Sequence, residues 1–280
     1  MDTQITHDLP RWSRRAFLAS AGAAVVVAGA GVGRGPLEPE AAAAARWTIP
    51  SRKRVVADLG RRRPQHFGMF LDGMVTRGRR RSALTFDACG GTRGAHYDEK
   101  LITTLRRHEV PATLFLNARW IEAFPTVAAE LADDPLFELG NHGQQHCPLT
   151  VRGQEAYKIP GTTSVGAAYD EILRGMDAVA GLTGERPRLF RPGTAWADDV
   201  GVAVARAMGV RVVSFSINVD EGATASTSTV AKNLGLVRSR SITLAHFNHP
   251  EGKTAEGLAK ALPRLLDEGR RFVRLGEALA

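Results

Sequence analysis

Two cysteines in 280 residues, Cys89 and Cys147, are too few to build a small domain held together by disulfides. No apolar run reaches the ~20 residues that span a bilayer; the most apolar stretch, 19–32, is shorter and broken by glycines. The glycine-rich phosphate loop of a dinucleotide fold is also missing, because the glycines of 22–35 have no strand before them. No internal repeat is visible. The residue after His142 is Gly143 rather than glutamate, which excludes the zincin helix with its built-in base. An apolar fraction of 44% with 24% charged residues excludes a disordered or fibrous chain.

What is there begins with an address label. Ser13-Arg14-Arg15-Ala16-Phe17-Leu18 precedes the apolar stretch, and small residues follow at 41–45. Charged region, apolar core and small-residue cleavage site make an export signal, and the paired arginines point to the twin-arginine machinery. Residues 1–45 are therefore expected to be a signal cleaved near Ala45, leaving an exported protein of the cell envelope or medium with no stable membrane span. Residues 46–81 hold ten arginines and one lysine against two aspartates, a net of +9. They are expected to be a basic linker or N-terminal extension, solvated or lying on an anionic wall. No recognition motif accompanies the cluster, so no nucleic-acid partner is expected.

From residue 82 to 280 the pattern is that of one catalytic domain. Strand-like runs at 82–86, 112–117, 137–140, 189–190, 210–219, 241–245 and 271–274 alternate with helical spacing at 97–108, 121–132, 167–180, 198–208, 229–237 and 255–267. Alternation of this kind implies α/β architecture with a parallel sheet, closed as a barrel or open and doubly wound. Residues 147–165 form a long polar loop, with Tyr157 and Pro160 expected to shape a substrate groove.

Reactive side chains fall just past strand ends: Asp87, His142, Arg191, Asp220 and His246. That edge of a parallel sheet is where active sites are built. His142 and His146 are four apart and suit one metal ion. Taken singly, each has a plainer reading: Asp87 as a helix cap, His246 as a core histidine, Arg191 as an ordinary ion-pair partner. His249 ranks second to His246. Trp196 and Asn248 are the candidates for contact with substrate.

Thr85-Phe86-Asp87, His142-x3-His146, Phe190-Arg191-Pro192 and Leu244-Ala245-His246 stand in the order and spacing of the polysaccharide deacetylase, or NodB-homology, family (carbohydrate esterase family 4), which the chain resembles over about 82–280. The resemblance implies a distorted (β/α) barrel of about seven parallel strands. It also implies a hydrolase that removes N-acetyl groups from peptidoglycan or chitin-like sugars with a divalent metal, zinc or else cobalt or another ion. On that resemblance Asp87 is the general base, His246 the general acid, His142 and His146 the metal ligands. Arg191 holds the base, and Asp220 orients the histidine or arginine.

One departure stands out. The family's usual metal-binding aspartate after the base is Ala88 here, followed by Cys89-Gly90-Gly91. Asp87 itself, a Cys89 thiolate, or only the two histidines and water then hold the ion. A Cys89–Cys147 disulfide, slightly favoured, competes with free thiols and metal ligation. Alternatives to N-deacetylation are a non-catalytic or weakly metal-binding wall binder, and a hydrolase of O-acetyl esters or another linear amide.

Overall fold

The central strands are short, mostly apolar runs. Leu84–Ala88 and Ala112–Leu116 are buried at every position, as expected of central strands covered on both faces. The structure, a computed structural model, describes residues 47–91 and 94–280; the signal expected at 1–45 lies outside the described residues.

The helices are α1 (Arg52–Leu59), α2 (Glu99–Arg107), α3 (Ala118–Ala123), α4 (Pro125–Asp133), α5 (Val165–Thr183), α6 (Asp199–Ala207), α7 (Thr227–Leu234), α8 (Thr254–Asp267) and α9 (Leu275–Ala278). The strands are β1 (Phe67–Gly68), β2 (Met74–Val75), β3 (Leu84–Ala88), β4 (Ala112–Leu116), β5 (Phe137–Asn141), β6 (Leu189–Phe190), β7 (Ala197–Asp198), β8 (Arg211–Val213), β9 (Ile217–Asn218) and β10 (Thr243–His246). Eight of these make one parallel sheet in the order β2-β8-β6-β5-β4-β3-β10-β9. The sheet is a curled half-barrel with helices packed on it, the distorted (β/α) barrel expected, with eight strands in place of about seven.

Three departures have local causes. The strand expected at 210–219 divides, because the β-branched run gives way to Ser214-Phe215-Ser216. There the backbone changes partners: Ser214 N–H donates to Val75 O and Ser216 N–H to Ile242 O, carrying the chain from β8 to the opposite end of the sheet. The helix expected at 121–132 breaks at Phe124, and Pro125 starts a new one where its missing N–H costs nothing. Residues 271–274 make only an isolated bridge, Ser82 to Phe272, before α9.

The segment expected to be a basic linker or N-terminal extension is described from Trp47, and from there to Ala280 the chain is one compact unit. Val55 and Leu59 of α1 are buried in the cluster that also contains Tyr169, Ile172 and Val204. Trp47 Nε1 donates to Met208 O at 3.1 Å, and Tyr169 Oη donates to Pro50 O at 2.9 Å. The arginines of α1 lie on its exposed face, where Arg52 pairs with Asp170 at 3.0 Å. β2 forms one end of the main sheet. No described helix is long and apolar enough to cross a membrane.

Candidate active site

Side chains alternate along β3. Leu84, Phe86 and Ala88 belong to the hydrophobic cluster under α2 and α8, so Thr85 and Asp87 point to the other face, as a period of two requires. Adjacent β10 carries His246 in register with Asp87. Two reactive side chains thereby sit side by side at the C-terminal edge of the sheet.

Arg191, wholly buried, organises the interior behind them. Its Nη1 donates to Asp87 Oδ1 at 2.6 Å, and its Nη2 donates to Thr85 Oγ1 at 2.8 Å and Ser214 O at 3.1 Å. The guanidinium lies 4.3 Å from the Phe115 ring centre, a planar contact that lysine could not reproduce. Thr85 Oγ1 in turn donates to Thr243 O, tying β3 to β10. The base is thus fixed by a cation that is itself held from several sides.

His142 follows β5 and is 1% exposed. Its Nδ1 lies 2.8 Å from Arg191 O; a carbonyl only accepts, so Nδ1 carries the proton and Nε2 keeps its lone pair. Burial lowers the pKa, against the opposing pull of Asp87, which favours the neutral ring a metal needs. Nε2 is 3.6 Å from Asp87 Oδ2 and 3.8 Å from Cys89 Sγ. The His146 ring stands edge-on to His142 with centres 4.8 Å apart. One ligand atom each from Cys89, His142 and His146 lies within 4.8 Å of the other two. A donor set of two imidazoles and a thiol with an aimed lone pair fits a divalent transition metal.

Glu171, in the middle of α5, sets the histidine-bearing loop in place. Its carboxylate accepts from Gln145 N–H at 2.9 and 3.0 Å and from Cys147 N–H at 3.4 Å. Burial raises its pKa, and the backbone N–H groups of 145, 147 and 146 counter that. His146 needs this support, since it holds a positive φ of 62°. Gly143 turns the chain at φ +80°, where a Cβ would lie 2.3 Å from Glu171 Oε1. Glu171→Ala is expected to cost about 2 kcal/mol, the worth of charged hydrogen bonds to buried N–H groups. Thermal unfolding should then show a Tm lower by about 4–8 °C.

His246 is tied to Asp220 twice: Nδ1 lies 3.0 Å from Asp220 Oδ1, and the His246 backbone N–H donates to Oδ2 at 2.6 Å. Thr254 Oγ1 also donates to Oδ2, at 3.0 Å. Burial works to lower the His246 pKa, but the Asp220 charge and hydrogen bond carry it well above the ordinary value. Asp220 moves the other way: burial would raise it, and His246 with Thr254 brings it below the usual carboxylate range. Asp220 therefore serves the histidine and not Arg191.

Other expectations are redistributed. His249 turns to Glu251 at 2.8 Å and is not interchangeable with His246. Asn248 is fully buried and donates to Gly94 O at 2.9 Å, which braces the turn after β3. Trp196 is half-buried beside Phe67, at 4.8 Å, and Tyr157, at 6.5 Å between ring centres. Phe70, 58% exposed, rests edge-on against Phe215, and Met69 packs beside Leu244. The segment 67–70 thus packs against Trp196 and Phe215. Cys89 and Cys147 are free thiols, which corrects the disulfide expectation. Burial would raise Cys89, yet His146 and His246 bring it down to about 6, whereas burial and Glu171 push Cys147 up to about 11.

Comparison with known proteins agrees with this architecture. A peptidoglycan-N-acetylglucosamine deacetylase of Bacillus cereus is 26% identical over 197 residues, 69% of this chain and 66% of the relative, just under two thirds of its length. The solved structure of a peptidoglycan N-acetylglucosamine deacetylase superposes with a TM-score of 0.61 at 24% identity, covering 73% of this chain and 91% of that one. A carbohydrate esterase family 4 pseudoenzyme of Bacillus anthracis matches with a TM-score of 0.61 at 20% identity, covering 73% and 68%. At these identities the two structures carry the fold alone. The profile described as polysaccharide deacetylase matches residues 75–213, a span running from β2 to the end of β8; the chain belongs to the polysaccharide deacetylase family.

Proposed function

We propose that the chain hydrolyses N-acetyl groups on a cell-wall polysaccharide, with peptidoglycan or chitin-like sugars as the substrate class. The observation that carries this reading is the pairing of two differently prepared groups on adjacent strands: Asp87 held by Arg191, and His246 held by Asp220 in register beside it. Amide hydrolysis needs a base to activate water and an acid to protonate the departing amine. Asp87 takes the proton of the attacking water. His246 gives its proton to the sugar nitrogen as the C–N bond breaks. Arg191 holds the Asp87 carboxylate in place and aims it. His142 and His146 would hold the divalent cation, zinc by preference, which supplies Lewis-acid polarisation of the acetyl carbonyl. Trp196 with Phe67 and Tyr157 offers apolar ring faces to a pyranose.

The relative from Bacillus cereus is named for peptidoglycan N-acetylglucosamine, and the twin-arginine signature of 13–18 supports export to the envelope where that polymer lies. Acetate released from purified peptidoglycan and from N-acetylglucosamine oligomers tests the reading; release from O-acetylated polymers alone would move it to ester hydrolysis.

The pH dependence follows from His246. Its raised pKa keeps the imidazolium available at neutral pH, so the rate falls as pH rises through that raised value. Asp220→Asn removes the charge that raises it, so the alkaline limb of the kcat profile should move to lower pH. An unmoved limb would mean that another group is the acid.

A non-catalytic wall binder is the second reading, favoured by Ala88 in place of the expected aspartate. Against it stand the two separately buttressed groups, Asp87 and His246, which a binder has no use for.

A further inference from the structure

We propose that Cys89 is the third protein ligand of a zinc site formed with His142 and His146, its sulfur acting where the family pattern has a carboxylate. The inference rests on the metal-assisted reading above and identifies the donor which that reading leaves open.

The register of β3 is the first argument. Ala88 is fully buried in the hydrophobic cluster with Leu84 and Phe86, so a side chain at 88 points away from the histidines. The next residue returns to the inner face, and that residue is Cys89. Gly90 and Gly91 follow with φ of +68° and +81°, and Gly90 N–H donates to Gly94 O at 3.2 Å. The chain thus turns immediately after the thiol and leaves it facing the site. A Cβ on Gly90 would lie 2.7 Å from Trp120 N, so this turn accepts little else.

Distances are the second argument. Tetrahedral zinc with Zn–N near 2.0 Å and Zn–S near 2.3 Å separates nitrogen and sulfur by about 3.5 Å. Cys89 Sγ and His142 Nε2 are 3.8 Å apart, and His146 completes a triangle within 4.8 Å. Nδ1 of His142 is committed to Arg191 O, the outer hydrogen bond that metal-binding histidines characteristically make. Cys147, next to His146, reaches Glu171 only through its backbone N–H, and its sulfur is not among the donor atoms that lie together. A thiolate with two imidazoles favours zinc and cobalt over magnesium, calcium and manganese.

Cobalt substitution of the folded chain tests this without substrate. Wild type loaded with Co(II) should show a thiolate-to-cobalt charge-transfer band in the near ultraviolet, retained in Cys147→Ser and lost in Cys89→Ser. Zinc affinity by competition with a chromophoric chelator should fall at least about tenfold in Cys89→Ser, with circular dichroism unchanged, and recover in Cys89→Asp without the band. Cobalt bound by wild type with no such band, zinc held equally by Cys89→Ser, or no metal bound at all would overturn the proposal. A chain with the band that releases no acetate contradicts the hydrolase reading alone; acetate release by a chain lacking the band contradicts this one alone.

Discussion

Asp87→Asn should lower acetate release by about a hundredfold or more, the usual range for removing a positioned proton acceptor being roughly 10²–10⁴. The substitution is chosen because it changes little else. Asparagine keeps the shape of aspartate, and its carbonyl oxygen can still accept from Arg191 Nη1, the bond now 2.6 Å long. What it lacks is a basic oxygen to take the proton of water. The loss should appear in kcat with KM nearly constant, since Asp87 is 3% exposed and offers little surface for ground-state binding. Stability of the variant near that of wild type, together with undiminished kcat, would remove Asp87 from the chemistry.

Arg191→Met should be the most damaging single change to the fold. Arg191 is wholly buried and neutralises a carboxylate that is also buried. Removing one partner of such a pair costs about 3–5 kcal/mol, because the other charge remains uncompensated in the interior. Thr85 Oγ1 and Ser214 O lose their donor at the same time. A Tm drop on the order of 10 °C is expected by calorimetry. The double variant Arg191→Met with Asp87→Leu separates causes: with both charges gone, much of the stability should return while activity stays absent. Arg191→Lys should fall between, since one ammonium cannot reach Asp87, Thr85 and Ser214 together.

The parts legible in the sequence were those that strand chemistry exposes. Asp87, His142, Arg191 and His246 each lie at the end of a short apolar run, and such placement says which edge of the sheet they share. Their partners were harder to see. Glu171 lies in the middle of the amphipathic helix α5, where a glutamate ordinarily reads as a solvent-facing residue; only its burial beneath the 143–147 loop reveals its work. The segment 67–70 was hidden by the arginines on either side, since charge density reads as linker while Phe67 and Met69 pack inward. The division of 210–219 into β8 and β9 turned on two serines whose backbone groups find partners at opposite ends of the sheet, a long-range fact that no local pattern contains. Asn248 looked like a surface contact beside His246, but its amide is used inside the turn at Gly94.

Ala88 illustrates the same point at the site itself. By residue matching it is a missing ligand; by strand register it is a core residue in line with Phe86. The two readings predict different repairs. Restoring an aspartate at 88 places a carboxylate against the cluster under α2 and α8, a buried charge with no cation there, and should destabilise rather than activate.

Acetate release from N-acetylglucosamine oligomers by the purified chain, assayed after chelation and again after zinc is returned, tests the account most directly. The account expects release that chelation abolishes, that zinc restores in wild type, and that zinc fails to restore in Asp87→Asn. Release that persists through chelation, or that Asp87→Asn matches, would contradict it.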